Sequence, residues 1–257
     1  MYQFLRKPRW ILAHLIVIAM LFVFAMAGSW QLRRHADRQD RNDAVTGRTD
    51  LEPLGLADLA DLDPAEHEYR SVTIVGRWRP DDLVLIRNRS HQSTGGCHVA
   101  VPFDGGGARS LLVAVGWLAQ GDCTTDPFPD VTLPDGDVEL LGRLRASQVR
   151  GSFGATDPAE GRLLSLARTD VARVDQQVEL DLAAMYAELV EATPPVEGVV
   201  AIDAPATDSG PHLGYAVQWF LFFAVTLVGY PLVLRHEARR GDLDDIDDVP
   251  VDDPTTT

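Results

Sequence analysis

Two long apolar segments, one near each end of the chain, constrain the fold more than any other feature of the sequence. Leu213–Leu234 contains 22 residues with no acidic or basic side chain. As an α-helix, a segment of this length covers roughly 33 Å, slightly more than the hydrocarbon core of a bilayer. Trp10–Leu32 is similarly apolar and carries a single ionisable residue, His14. The sequence therefore predicts transmembrane helices over residues 10–32 and 212–234.

The N-terminal segment also has features of a secretory signal peptide. Arg6, Lys7 and Arg9 precede it, and Ala25–Ala27 resembles the small-residue site at which signal peptides are cleaved. However, the apolar character continues to Leu32, beyond the roughly 7 to 15 residues of a signal's apolar region. We therefore expect a retained transmembrane helix, with cleavage as the alternative.

Basic residues near the second segment indicate the orientation of the chain. Arg235, Arg239 and Arg240 follow it, whereas Asp203 and Asp208 precede it. Because cytoplasmic flanks are enriched in Lys and Arg, this pattern predicts a cytoplasmic C-terminus. Two spans place both termini on one side, so residues 1–9 and 235–257 are expected in the cytoplasm and residues 33–211 outside it. The chain has one lysine against 22 arginines, which indicates a GC-rich bacterial source and hence a bacterial cell membrane.

Four arginines on the outer side of the first segment run against this orientation. They are Arg33, Arg34, Arg38 and Arg41. One explanation is binding to lipid headgroups at the outer surface. The other is pairing with a carboxylate partner or ligand, for which the forked guanidinium is well suited.

The region between the spans, about 170 residues, is long enough for one compact domain. The polar sequence after Leu32 has no helix breaker until Gly47, so the first helix is expected to continue beyond the membrane. From Tyr69 onward, apolar residues alternate with a period of two and short turns separate the segments, as is typical of antiparallel strands. The predicted strands are residues 69–78, 83–89, 97–103, 110–118, 137–146 and 196–202.

One soluble helix is predicted from apolar residues spaced three or four apart, over Asp170–Val190. They are Val171, Val174, Val178, Leu182, Met185 and Leu189. The expected fold class is therefore α+β. Two transmembrane helices flank an extracytoplasmic antiparallel β-sheet or small barrel domain with one or two helices.

Charge and missing motifs exclude several classes of function. The formal net charge is −15, and seven aspartates follow Gly241 with no basic residue among them, which predicts a disordered, solvated tail. So acidic a chain is a poor candidate for nucleic-acid binding. The patterns H-E-x-x-H, G-x-x-x-x-G-K and G-x-S-x-G are absent, and the glycine-rich Asp104–Gly107 lies in a turn between predicted strands. We expect no enzymatic activity. A membrane-tethered hydrolase would need a nucleophile and a base that the sequence does not supply.

The two cysteines, Cys97 and Cys123, are too far apart for a C-x-x-C redox motif or for covalent heme attachment. An oxidising compartment would permit a disulfide between them. Two free buried thiols and a role in metal binding are the alternatives that the spacing leaves open.

Histidines near the membrane raise the question of heme ligation. His14 lies roughly 27 Å from the outer end of its span, so it cannot share one iron with His212 at the outer end of the other span. His35 and His212 fall at similar heights, close to Trp30, Tyr215 and Trp219. A neutral imidazole there could ligate heme iron. The alternative is an interfacial belt of aromatic and polar side chains that only anchors the helices.

Three stretches of the chain resemble the signature regions of the surfeit locus protein family of cytochrome c oxidase assembly factors. The first is GSWQLRR, at residues 28–34. The second is YRSVTIVGRW at 69–78 with a later VGW at 115–117, and the third is PHLGYAVQWF at 211–220. They occur in the family's order, and the resemblance covers residues 10–236.

The resemblance implies two membrane helices around an extracytoplasmic domain, and a role in delivering heme a to the largest subunit of the oxidase. By analogy, two groups of residues would contact heme a or the oxidase. They are Trp30, Gln31 and Arg34 in the first motif, and His212, Tyr215 and Trp219 in the third. Gly76 and Trp117 match the family's strand landmarks. The sequence departs from the family at Cys97, where an aromatic is expected, and at Val115, where an arginine usually precedes the Gly-Trp pair.

Two functional hypotheses follow from the resemblance. In the first, the protein is a non-enzymatic assembly factor that transiently holds heme a or a folding intermediate of cytochrome c oxidase subunit one. Its partners would be that subunit, its assembly intermediates and the lipid bilayer. In the second, it is a cofactor-free accessory subunit or scaffold whose aromatic belt contacts helices of the respiratory oxidase.

Overall fold

The computed structural model describes residues 6–152 and 154–247 of the 257-residue chain. The chain divides into two compact units. A helical unit comprises residues 1–41 and 208–257, and a β-rich unit comprises Asn42–Thr207. Each is described by itself below.

The helical unit is built from two long helices. Helix α1 spans Pro8–Thr49, so it continues into the β-rich unit, and helix α4 spans His212–Asp247. Both are long and apolar enough to cross a membrane, with mean hydropathies of 2.6 and 1.9 in their most apolar windows. This supports membrane anchoring at both ends of the chain. The predicted continuation of the first helix beyond Leu32 is confirmed.

The acidic stretch near the C-terminus differs in part from the prediction. Helix α4 continues through Asp247, so residues 242–247 are helical where disorder was expected. Residues 248–257 lie outside the described part of the chain.

The described part of the β-rich unit contains seven strands and two short helices. The strands are β1 Ser71–Trp78, β2 Val84–His91, β3 Thr94–Asp104, β4 Ser110–Ala119, β5 Val138–Ala146, β6 Ser165–Leu166 and β7 Leu182–Thr193. The helices are α2 Pro64–His67 and α3 Val171–Asp175, and single 3₁₀ turns lie at Leu56–Asp61, Pro80–Asp82 and Gln120–Asp122. Five of the predicted strands are confirmed, with small differences at their ends.

The sheet closes on itself and forms a small barrel. Its strand order is β1-β5-β7-β4-β3-β2-β6, and β1 also pairs with β3 through Arg77↔Asp104 and Trp78↔Phe103. Five strands, β1, β5, β7, β4 and β3, therefore form a ring, while β2 and β6 extend it along β3. Most pairings are antiparallel as predicted, but β4–β7 and β2–β6 are parallel, so the sheet is mixed.

Two of the sequence-based predictions within this unit are wrong. Residues 170–190 do not form one helix, because α3 ends at Asp175 and Leu182–Thr193 is the central strand β7. The predicted strand at 196–202 makes only isolated bridges, Thr132↔Glu197 and Trp117↔Val200.

Apolar side chains fill both sides of the sheet. Inside the ring, Phe103, Leu111, Leu140 and Met185 belong to one large buried cluster. A second, smaller cluster lies on the outer face beneath α3. Its members include Ile86, Ala100, Leu112, Leu166, Val171, Val174 and Tyr186. Strand β7 contributes to both clusters, which explains why nearly every one of its first seven side chains is buried.

A disulfide between Cys97 and Cys123 connects β3 to the turn after β4, with a Cα–Cα distance of 6.0 Å. Cys97 is fully buried in the cluster inside the ring. Of the three possibilities that the cysteine spacing left open, the structure contains the disulfide.

Charged side chains are also buried in the barrel wall. Glu188 on β7 is 7% exposed and accepts hydrogen bonds on both carboxylate oxygens. Arg143 donates to Oε2 at 3.1 Å and Arg145 donates to Oε1 at 2.7 Å. Arg145 also pairs with Glu68 at 3.4 Å. One carboxylate thus pairs with two arginines on the neighbouring strand β5.

Gly76 lies next to the residues that close the ring, and its close backbone contacts predict the effect of a substitution. A Cβ added there would lie 2.3 Å from the carbonyl oxygen of Asp104 and 2.8 Å from the Cα of Gly105. Both are backbone atoms, which cannot move aside as a flexible side chain would. We expect Gly76→Ala to lower the free energy of unfolding by about 1–3 kcal/mol, the usual cost of overpacking. Urea titration of the full-length protein in detergent, followed by tryptophan fluorescence, measures the change.

Gly47→Ala is the matched control for this prediction. Gly47 is exposed in α1 and an added Cβ would meet no atom within 4 Å. Replacing a helical glycine by alanine should stabilise the protein by about 0.5–1 kcal/mol. Equal urea midpoints for the two variants would contradict the role assigned to Gly76.

Candidate functional site

The two helices of the helical unit pack along a regular seam. One series of shielded positions on α1 recurs at intervals of three and four residues. They are His14, Val17, Leu21, Phe24, Gly28, Gln31, His35 and Arg38. The corresponding positions on α4 are His212, Ala216, Trp219, Phe223, Thr226 and Tyr230. A repeat of 3.5 residues keeps one helix face against a partner helix, as in a left-handed coiled coil.

Contacts along the seam show that the helices run antiparallel. Near one end, the Tyr230 hydroxyl lies 2.5 Å from Nδ1 of His14. In the middle, the rings of Phe24 and Trp219 lie 5.8 Å apart. Gly28 allows the closest approach, because a Cβ there would be 2.9 Å from the Phe220 ring.

The centre of the candidate site is a hydrogen bond between the two sequence motifs. Nδ1 of His212, at the start of α4, lies 2.9 Å from Oε1 of Gln31 on α1. Both residues are half-buried in the seam. An amide oxygen accepts hydrogen bonds, so the contact suits the neutral tautomer whose hydrogen is on Nδ1, and in that tautomer Nε2 carries a lone pair. A histidine held in this way is prepared to ligate a metal ion through Nε2.

Other polar residues continue the seam beyond His212. Arg38 donates from Nη2 to Oδ2 of Asp208 at 3.3 Å. For this arginine, the structure confirms the carboxylate pairing that was one of the two explanations for the basic residues after the first span. His35 lies one turn from Gln31, and its Nδ1 is buried without a hydrogen-bond partner among the described residues.

The remaining predicted site residues divide into two groups. Trp219 lies in the seam, where it contacts Phe24 and Phe222. Trp30 and Tyr215 are about half exposed, at 55% and 50%, and Arg34 is exposed. The structure therefore brings together Gln31, His212 and Trp219 and leaves the other three on the outer surface of the helix pair.

Two features of this unit were missed by the sequence reasoning. One is the pairing of His14 with Tyr230, and the other is the 3.5-residue repeat of α1. The repeat is present in the sequence, but it was obscured because nearly every position of the span is apolar. Polar spacing gives only part of the signal, because His14, Gln31, His35 and Arg38 fit the repeat whereas Arg33, Arg34 and Asp37 do not.

No group of three or more His, Cys, Asp or Glu side chains that could hold a metal ion occurs within residues 6–152 and 154–247.

The chain has two helices suited to membrane anchoring, one before and one after a small barrel in the sequence. Motif residues pair at the start of the second helix. Together these features define the class of protein. A sequence model of the SURF1 family matches residues 18–224. Three mycobacterial proteins, from Mycobacterium bovis and two strains of Mycobacterium tuberculosis, are each 28% identical over 259 residues. The alignment covers 98% of this chain and 93% of each relative, and each relative is described as an uncharacterized SURF1-like protein.

The chain therefore belongs to the SURF1 family, whose members are known in general as cytochrome c oxidase assembly factors. The resemblance stated from the three motifs is confirmed.

Proposed function

We propose that this protein is a non-enzymatic assembly factor that holds heme a at His212 before the heme enters the largest subunit of cytochrome c oxidase. The observation that carries the proposal is the hydrogen bond between His212 and Gln31. It joins the family's first and third motifs and leaves Nε2 as the free ligand atom. Heme a is the cargo here, so the site must bind it reversibly.

The residues around His212 suit an amphipathic porphyrin. Trp219, Phe24 and Phe222 form an aromatic cluster that begins about two helical turns along the seam from His212. Arg34 is exposed on the helix that carries Gln31, where it could pair with a propionate. When bound, heme a would supply an iron that a neutral imidazole can ligate.

Two features of the chain support reversible holding. The described residues supply one histidine at the entrance of α4, and His35, the nearest other histidine on α1, lies on the same helix face as Gln31. A single axial imidazole binds heme iron less firmly than a covalent attachment would, and the chain has no C-x-x-C-H motif.

The test measures heme a carried by the full-length protein. The chain is coexpressed with heme a synthesis, purified in detergent, and its Soret absorption is measured per mole of protein. We expect His212→Ala to lower heme occupancy at least about tenfold. Gln31→Leu should weaken heme affinity by about 10–100-fold, because outer-sphere partners of metal-ligating histidines typically contribute that much. His236→Ala is the matched control, since His236 is an exposed histidine on the same helix. A normal Soret band in His212→Ala would refute the proposal.

A second function is favoured by the exposed aromatic residues. Trp30 and Tyr215 would anchor the protein to helices of the oxidase if it were a cofactor-free accessory subunit or scaffold. This alternative predicts stable copurification with the oxidase, no porphyrin absorption, and loss of copurification in a Trp30→Ala, Tyr215→Ala double variant. Heme-loaded protein that does not copurify with the oxidase would count against it.

We also propose that the barrel is extracytoplasmic and that both termini are cytoplasmic. The disulfide supports this placement, because such bonds form and persist in oxidising compartments. Alkaline phosphatase fused after Pro205 should be active, and the same enzyme fused after Arg240 should be inactive. The reverse pattern would overturn the topology.

A further inference from the structure

Arginines gather on the outer face of the barrel. We call Arg89, Arg145, Arg168 and the nearby His98 the arginine cluster. Arg89 lies on β2, His98 on β3, Arg145 on β5, and Arg168 shortly before α3. The charges of Arg145 and Arg168 both lower the pKa of Arg89, so each of these two guanidinium groups lies within electrostatic reach of Arg89.

The protein does not supply a carboxylate for every arginine of the cluster. Arg145 shares Glu188 with Arg143 and also meets Glu68. Arg168 donates to the carbonyl oxygen of Ala155 at 2.8 Å. Arg89 has no ion pair with any described residue, so the cluster carries an excess of positive charge.

The hydrogen bonds of Arg89 leave donors available. Its Nη2 donates to Oε1 of Gln148 and, at 3.4 Å, to Oγ1 of Thr169, which are both neutral groups. Nε is buried and has no acceptor among the described residues. Nη1 has no protein partner in the described part of the chain. Leaving guanidinium donors unmatched is unfavourable, and a bound acceptor would remove that cost.

Two pKa shifts reflect burial first and neighbouring positive charge second. Burial lowers the pKa of Arg89, with partial compensation from Tyr186 and Glu188. Burial, followed by the charges of Arg89 and Arg145, lowers the pKa of His98 to about 4. His98 is therefore neutral at physiological pH, and its own pKa should respond to any anion that binds beside it.

We propose that the arginine cluster binds a compact oxyanion, a carboxylate or phosphate group, at the guanidinium of Arg89. Carboxylates and phosphates match the forked donors of arginine better than a spherical anion such as chloride does. The bound group neutralises the excess charge and accepts from the free Nη1 of Arg89. Arg145 adds positive charge on the same face, and the neutral ring of His98 lies close enough to the guanidinium groups to report the binding.

The experiment follows the His98 ring by NMR in the full-length protein in detergent. Inorganic phosphate and acetate are titrated separately, with sodium chloride at matched ionic strength as the reference. We expect saturable binding of phosphate, acetate or both. The His98 pKa should be higher in the bound state. The anion with the higher affinity identifies the class of oxyanion. Arg89→Gln should weaken the apparent affinity at least about tenfold, which corresponds to about 1.4 kcal/mol.

Two further variants separate binding from structural damage. Arg87→Gln removes a neighbouring arginine on the same strand whose charge is already paired with Asp157 at 2.7 Å, so binding should be unchanged. Arg89→Lys keeps the charge and should retain weakened binding. An identical response of His98 to chloride, or full anion binding by a folded Arg89→Gln protein, would overturn the proposal. Because Arg89 and His98 play no part in holding heme a at His212, the Soret assay and this titration can fail independently.

Discussion

Glu188→Ala is expected to lower the free energy of unfolding by about 3–5 kcal/mol, the typical cost of removing one partner from a buried ion pair. Glu188 accepts hydrogen bonds from Arg143 at 3.1 Å and from Arg145 at 2.7 Å. These arginine side chains are only 11% and 24% exposed. Without the carboxylate, both cations remain in the barrel wall with little access to water, which is the source of the cost. Urea titration of the full-length protein in detergent measures the loss.

Glu191→Ala is the matched control for the loss of a glutamate from β7. Glu191 lies on the same strand but is exposed and forms no ion pair with any described residue. Its replacement should change the free energy of unfolding by less than about 0.5 kcal/mol. The double variant Arg143→Met, Glu188→Met removes one whole pair and should cost less than Glu188→Ala alone. A change below about 1 kcal/mol in Glu188→Ala would show that the cluster is solvated and contributes little.

Removing the disulfide is the second substitution with a large expected effect. Cys97 and Cys123 are 26 residues apart in sequence. For a loop of that size, the chain-entropy relation gives a stabilisation of about 3.5 kcal/mol. We expect Cys123→Ala to lower the free energy of unfolding by this order. The remaining Cys97 thiol would stay buried among apolar side chains, where a free cysteine packs well.

Reduction of the wild-type protein provides the comparison for this variant. Wild-type protein unfolded in urea with a reductant should reproduce the urea midpoint of Cys123→Ala, because both lack the crosslink. Without reductant, unfolded wild-type protein should bind no maleimide, whereas Cys123→Ala should bind one per chain. Maleimide labelling of the unreduced wild type would mean that the bond does not form in the cell.

The outcome at residues 170–190 shows where sequence periodicity fails. The apolar residues from Val171 to Leu189 fit a helical spacing, yet only the first five residues are helical and Leu182–Thr193 is a strand. Strand β7 has neighbours on both edges and apolar clusters on both faces. A strand covered on both sides loses its alternation of polar and apolar residues, so its pattern can be mistaken for that of a helix.

The strands with one exposed face were predicted well for the same reason. In β1, buried Val72, Ile74 and Trp78 alternate with more exposed residues, and the alternation follows directly from the pleat of a strand. Their partners could not be predicted. The ring closes through Trp78↔Phe103, and two strand pairs are parallel. Both features depend on contacts between segments far apart in the chain, which a local sequence pattern does not indicate.

For the candidate site, the sequence by itself determined that two segments are apolar enough to cross a membrane and that the family's motif residues stand at their ends. Hydrophobicity and motif spacing are properties of short stretches, so they can be found without coordinates. Only the tertiary structure decided that His212 meets Gln31, 181 residues away, that Arg38 meets Asp208, and that Cys97 bonds to Cys123. The physical reason is that each of these contacts depends on the register between packed elements, where a shift of one residue turns the side chain to another face.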